Sequence, residues 1–141
     1  MAVTQFSFDV RVIAPPHTKL KKFFEELEKG RILGTKCRRC GKLYFPPQAD
    51  CSKCLSDEMD WVEIKGVGEL LTYTVTYVAP KAYTNIAPYT IGVARLDEGP
   101  KVTAWVKDVK PEEVKVGMRV KLVVEKFEDG VARYVLKPEK N

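Results

Sequence analysis

No apolar run in this 141-residue chain is long enough to cross a bilayer, and no basic segment followed by an apolar one stands behind Met1. That excludes an ordinary membrane-spanning helix and sets the expectation of a soluble, cytoplasmic protein with no membrane partner. Histidine occurs once, as His17, just after Pro15 and Pro16, where it reads as a solvent-exposed residue. With it goes the usual general base and the usual ligand of a catalytic zinc. There is no Gly-rich phosphate loop, no His-Glu-x-x-His and no nucleophile elbow, and Ser7, Ser52 and Ser56 have no histidine in sequence context to activate them. The expectation is a protein that is not an enzyme. Glutamine and asparagine are scarce beside Lys, Glu and Val, a balance that leans towards a thermophilic source.

Cysteine is limited to four residues, all within "CRRCGKLYFPPQADCSKC", residues 37 to 54. In a reducing compartment this paired spacing argues for metal over disulfides. Zinc takes four ligands at tetrahedral corners, and a Cys-x-x-Cys turn delivers two sulfurs from one tight loop. Cys37 with Cys40 and Cys51 with Cys54 therefore make a complete shell, with no position left for a reactive water. Gly41 suits the φ > 0 position that closes the first turn. Iron on four sulfurs is the alternative; the second turn, "CSKCLS", lacks the matching glycine, which ranks zinc above iron. The metal is read as structural, since about thirty residues cannot assemble an adequate core without it.

Net charge is +5, which permits a polyanionic partner without demanding one, because glutamates interleave with lysines along most of the chain. The length suits one domain, or a metal-stapled module attached to a compact unit of roughly 80 residues. Residues 3 to 13 alternate in period two and read as a strand. Thr18 can cap a following helix whose apolar residues Leu20, Phe23, Phe24 and Leu27 share one face, with Gly30 as the stop. The plainer reading of that face is packing within its own domain. The sharper one is a docking surface, continued by Tyr44 and Phe45 of the ribbon.

From Trp61 onward the chain reads as all-β. With "WVEIK" set aside, five strands remain, and "KPEEVKVGM" supplies a short helical link before the fourth. Glu128-Asp129-Gly130 reads as a tight hairpin. The fold expected is mainly β: an N-terminal strand and amphipathic helix (1 to 34), a four-cysteine zinc ribbon (35 to 60) and a five-stranded OB-type barrel (61 to 141). Tyr73, Val75 and Tyr77 share one side of the first barrel strand, and a barrel interior needs such residues.

In this order of parts, "FFEELEKGRILGTKC", "CGKLYFPPQADCSKC", "DWVEIKGVGELLTYTVTY" and "PYTIGVARLDEG", the chain from about residue 18 onward resembles the DUF35 family, OB-fold proteins with a rubredoxin-like zinc ribbon that associate with acyl-CoA enzymes. The resemblance implies a non-catalytic scaffold that bridges acetoacetyl-CoA thiolase and HMG-CoA synthase in the mevalonate pathway of archaea, or serves a related thiolase, and helps to house coenzyme A or an acyl-CoA. It implies zinc on Cys37, Cys40, Cys51 and Cys54. Candidate CoA contacts are Arg38, Arg39 and Lys42 of the ribbon, whose plainer role is to balance the thiolates, and Lys81, Tyr83 and Asn85 of the loop "APKAYTNIAPY". The reading from another class is nucleic-acid binding through Tyr73, Tyr77 and Trp105, which the interleaved acids disfavour.

Overall fold

The computed structural model describes residues 17–127 and 130–139. The strand expected over residues 3 to 13, and Glu128 and Asp129 of the expected hairpin, lie outside the described residues. The order is helix α1 (Lys21–Glu28), strands β1 (Leu33–Cys37), β2 (Leu43–Tyr44) and β3 (Met59–Glu63), then β4 (Val67–Thr76), β5 (Tyr89–Leu96), β6 (Lys101–Val106), β7 (Arg119–Lys126) and β8 (Ala132–Pro138). Two 3-10 turns, Lys81–Tyr83 and Pro111–Glu113, bridge β4 to β5 and β6 to β7. The second is the helical link expected from "KPEEVKVGM".

The helix starts without a side-chain cap. Thr18 instead accepts a hydrogen bond from the Leu20 amide at 3.2 Å, two residues before the N-cap position, which Leu20 occupies. It stops where the sequence places the stop: Gly30 sits at φ +85°, and the amides of Gly30 and Arg31 return to the carbonyls of Leu27 and Glu26 in a Schellman closure. Glu26 is buried at the helix end, where Lys29 first, then Arg31, holds its carboxyl below the usual carboxylate range.

Strands β2, β1 and β3 form a three-stranded antiparallel sheet, so the "WVEIK" run pairs with the ribbon, Trp61 standing opposite Thr35. The remaining five strands close into a barrel in the order β4-β5-β6-β8-β7, sealed by a parallel contact at Val106 and Leu136. Alternation fills it: Leu70, Ala94, Leu96, Val102, Val120, Leu122 and Leu136 are all buried. One core runs through both units. Phe23 of α1, Phe45 after β2 and Tyr134 of β8 meet edge to face, with Phe45 centred 6.3 Å from Phe23 and 5.3 Å from Tyr134.

The joint between the units is also tied. Ile64 is buried, the Glu98 carboxylate accepts from the amides of Lys65 and Gly66 at 3.1 and 3.0 Å, and the Leu122 amide donates to Gly66 O at 2.9 Å.

Two expectations are corrected here. The helix stripe faces inward: Phe23 and Leu27, and Phe45 with them, are core residues, because the ribbon has the barrel wall beside it and the helix closes that seam. Only Phe24, 45% exposed, stays on the surface, while Leu20 and Tyr44 are half-buried. Tyr73 and Tyr77 do not line the barrel interior: Tyr73 is 37% exposed, and Tyr77 lies past the end of β4 at Thr76 and is 70% exposed. Strand β4 pairs with β7 only over Val67 to Glu69 and breaks register between Leu70 and Thr72. Beyond that bulge it pairs with β5 alone, from Thr72 to Thr76, with Val75 half-buried.

Candidate functional site

The four sulfurs come together. The Sγ atoms of Cys37, Cys40, Cys51 and Cys54 all lie within 4.8 Å of one another, with Cys37 to Cys54 at 3.4 Å and Cys40 to Cys51 at 3.5 Å. A tetrahedral zinc with Zn–S bonds of about 2.3 Å needs sulfurs roughly 3.8 Å apart, so the set fits the ion with little adjustment. Its titration points the same way. The Cys40 amide lowers the Cys37 thiol, and the Tyr44 hydroxyl, followed by the Cys54 amide, brings Cys51 down to about 5. A hydrogen bond from the Ser56 backbone favours the Cys54 thiolate, but the crowding Cys37 sulfur and burial outweigh it and push the thiol up to about 11. Four clustered sulfurs cannot all ionise unaided; a divalent cation supplies the missing charge.

Backbone hydrogen bonds build the two knuckles alike. The Gly41 amide donates to Cys37 O at 2.9 Å and the Leu55 amide to Cys51 O at 3.0 Å; the Cys37 amide donates to Lys42 O and the Cys51 amide to Ser56 O. Gly41 takes φ +77°, and Leu55 takes φ +61° in the equivalent place. The missing glycine therefore does not alter the second turn, and it is no ground for preferring zinc to iron. That preference rests instead on the zinc-ribbon match below.

The ribbon cations have partners of their own. Arg38 donates to Asp60 at 2.7 Å, which holds the Asp60 carboxyl below its usual range, and the Lys42 ammonium stands 4.9 Å from the Tyr44 ring centroid. Arg39 is exposed.

A second feature lies on the barrel, an open cleft of ≈ 900 Å³. Tyr83, at the end of the first 3-10 turn, meets Trp105 edge to face at 5.9 Å and Tyr89 at 6.3 Å; Trp105 lies against Phe127 at 5.4 Å. Lys107 and Arg133 cover the Phe127 ring at 4.8 and 4.5 Å. Lys107 also pairs with Glu125, which accepts from Lys137 at 3.2 Å, and these cations lower the Glu125 carboxyl. Of the residues expected to contact CoA, only Tyr83 lines the cleft. Lys81 and Asn85 are exposed on the same loop, and Arg38, Arg39 and Lys42 are not part of it.

Sequence reasoning missed Tyr89, Phe127, Lys107 and Arg133. They lie on separate strands or beyond a strand end, and no local pattern joins them. Trp105, which the sequence offers as a stacking residue, stands at the centre of the group, against Tyr83, Tyr89 and Phe127.

Comparison with known proteins agrees with both units. Residues 24–60 match the family described as the ChsH2 rubredoxin-like zinc ribbon domain, and residues 61–125 match the ChsH2 C-terminal OB-fold domain. A DUF35 domain-containing scaffold protein of Methanocaldococcus jannaschii is 38% identical over 112 residues, 76% of this chain and 79% of that one. The benzoylsuccinyl-CoA thiolase subunit BbsA of Thauera aromatica is 26% identical over 73 residues, 52% of this chain and 49% of its own. Among solved structures, the Ltp2-ChsH2(DUF35) aldolase superposes with a TM-score of 0.76 at 25% identity, covering 89% of this chain and 98% of that one. The ribbon, the barrel and these matches together make the chain a member of the DUF35 family, with a ChsH2-type zinc ribbon and OB-fold.

Proposed function

We propose that this chain is a non-catalytic scaffold subunit that bridges acetoacetyl-CoA thiolase and HMG-CoA synthase, or serves a related condensing enzyme, and that its barrel cleft takes the adenine end of coenzyme A or an acyl-CoA. The observation that carries the reading is a division of labour within one chain. The metal centre is a closed set of four sulfurs, while the barrel carries an open aromatic cleft rimmed by cations. A closed shell stabilises a fold, and an aromatic cleft stacks a base.

In this reading adenine lies against Tyr83 and Trp105, with Lys81 and Asn85 at the rim for phosphate and ribose. The relatives support the partner class: one is named a scaffold protein, one a thiolase subunit, and one is solved with an aldolase. With Phe23, Leu27 and Phe45 in the core, we assign the enzyme-facing surface to the end of β4 and the residues just after it, where Tyr73, Tyr77 and Val78 are exposed. Holding two enzymes on one subunit replaces diffusion of their shared intermediate by a high effective concentration.

The test titrates the purified chain with CoA and, separately, with a single-stranded oligonucleotide. CoA should quench Trp105 fluorescence, and Trp105→Ala should weaken binding about tenfold or more. Mixed with purified thiolase and synthase, the chain should co-elute with them, and Tyr77→Glu with Val78→Glu should release them. Tighter binding of the oligonucleotide, falling steeply as salt rises, would establish the nucleic-acid reading instead.

A further inference from the structure

Tyr44 stands just before the apolar turn of the ribbon, and its ring is only half-buried. Its hydroxyl lies 3.3 Å from Cys51 Sγ and 2.9 Å from Ser52 Oγ, and it accepts a hydrogen bond from the Ser52 amide at 3.0 Å. A phenol offers one proton and two lone pairs. A zinc-bound cysteine is a thiolate with no proton to give, so the phenol must donate to the sulfur. The Ser52 hydroxyl then donates to the phenol oxygen beside the Ser52 amide, and every site on that oxygen is filled.

The knuckle so held is the one built with a handicap. In the first, glycine occupies the left-handed position; in the second, Leu55 is forced into it at φ +61° while 85% exposed, so it gains no burial for the strain. In the first knuckle the side-chain hold falls on Arg38, which pairs with Asp60, and no side-chain hydroxyl reaches Cys37 or Cys40 Sγ among the described residues; Lys42 lies over the Tyr44 ring and adds to the hold on the second.

We infer that Tyr44 is a positioning residue of the metal centre: its phenol donates to the Cys51 thiolate and locks the second knuckle, offsetting the strain at Leu55 and setting how slowly the metal leaves. Metal-bound thiolates are tuned by such outer hydrogen bonds, whose removal typically costs ten- to a hundredfold in metal affinity. The inference does not depend on which enzymes the chain joins.

Two measurements on the full chain test it. Cobalt(II) in place of zinc gives a sulfur-to-metal charge-transfer band whose energy falls when a hydrogen bond to sulfur is lost. Tyr44→Phe keeps the ring and removes only the hydroxyl, so the band should move to longer wavelength. Release of zinc to a chromogenic chelator should speed up roughly tenfold. Adding Leu55→Gly to Tyr44→Phe should restore most of the slow release while leaving the band displaced, because glycine relieves the turn without replacing the hydrogen bond. Ser52→Ala, which keeps the phenol and its bond to sulfur, should leave the band in place.

An unmoved band in Tyr44→Phe refutes the hydrogen bond, and an unchanged release rate refutes the lock. A band displaced equally by Ser52→Ala assigns the effect to general loosening of the knuckle and overturns the role given to Tyr44.

Discussion

Replacing Phe45 by alanine probes whether the ribbon and the barrel share a core. The ring is 5% exposed and closes the seam between α1, the ribbon and β8. Truncating a buried phenylalanine costs about 3–5 kcal/mol, and each edge-to-face pair is worth roughly 0.5–1.5 kcal/mol beyond its area. Phe45 takes part in two such pairs, and its ring partners are anchored in two different elements, α1 and β8, so the space it leaves cannot close by the shift of one. A loss of about 4 kcal/mol follows, or roughly 12–16 °C in Tm at about 3–4 °C per kcal/mol for a chain of this size. Two tryptophans make the assay local: Trp61 lies in β3 of the ribbon sheet and Trp105 in β6 of the barrel. Unfolding followed in a Trp61→Phe and in a Trp105→Phe background reports each unit separately, and both transitions should fall together. Phe24→Ala, at the exposed neighbour, should cost about 1 kcal/mol or less. A loss below about 1 kcal/mol for Phe45→Ala, or a shift confined to the ribbon signal, would show that the two units do not share this core.

Two further outcomes follow from the geometry. Metal analysis should give one zinc per chain without iron-thiolate absorbance, and Cys40→Ser should abolish stoichiometric zinc and lower the transitions reported by Trp61 and by Trp105 together. Glu125, whose carboxyl is lowered by Lys107 and then Lys137, contributes stability that is present above the ordinary carboxylate range and lost as pH falls through its lowered folded value. Glu125→Gln should therefore flatten the acid limb of a stability-against-pH profile and leave the profile above pH 7 parallel to that of the parent; an unaltered acid limb would show that Glu125 is not held down by these cations.

Elements with a periodic or spaced signature were legible before the structure. The paired cysteines give the centre directly, because ligand spacing within a tight turn is a local property. The five barrel strands and the link before the fourth follow from alternation and turn residues, and Gly30 from the conformation only glycine takes easily. What an amphipathic stripe cannot reveal is the identity of the surface it covers: Phe23 and Leu27 announce a buried face, and only tertiary packing shows that the cover is Phe45 and Tyr134. Alternation gives Tyr73, Val75 and Tyr77 one side but not its cover: how long β4 stays paired on both edges is set by β7, which meets it only over Val67 to Glu69 and which no window of sequence contains. The cleft around Trp105 failed for a related reason, since it is assembled from residues on β5, β6 and β8 and from the ends of loops. Leu55 is the hardest case: nothing in "CSKCLS" signals a left-handed leucine.

The clasp of Glu98 on the amides of Lys65 and Gly66, together with buried Ile64, has a mechanical meaning. A connector whose amides are held and whose side chain is locked in the core has no free torsion left to act as a hinge. Ribbon and barrel then behave as the two arms of a bracket. A protein seated on one arm and a protein seated on the other would be held at a fixed distance and angle, and a push on either would reach the other undamped. Lengthening the connector by two glycines after Lys65 would turn the bracket into a tether with the same ends and no set angle.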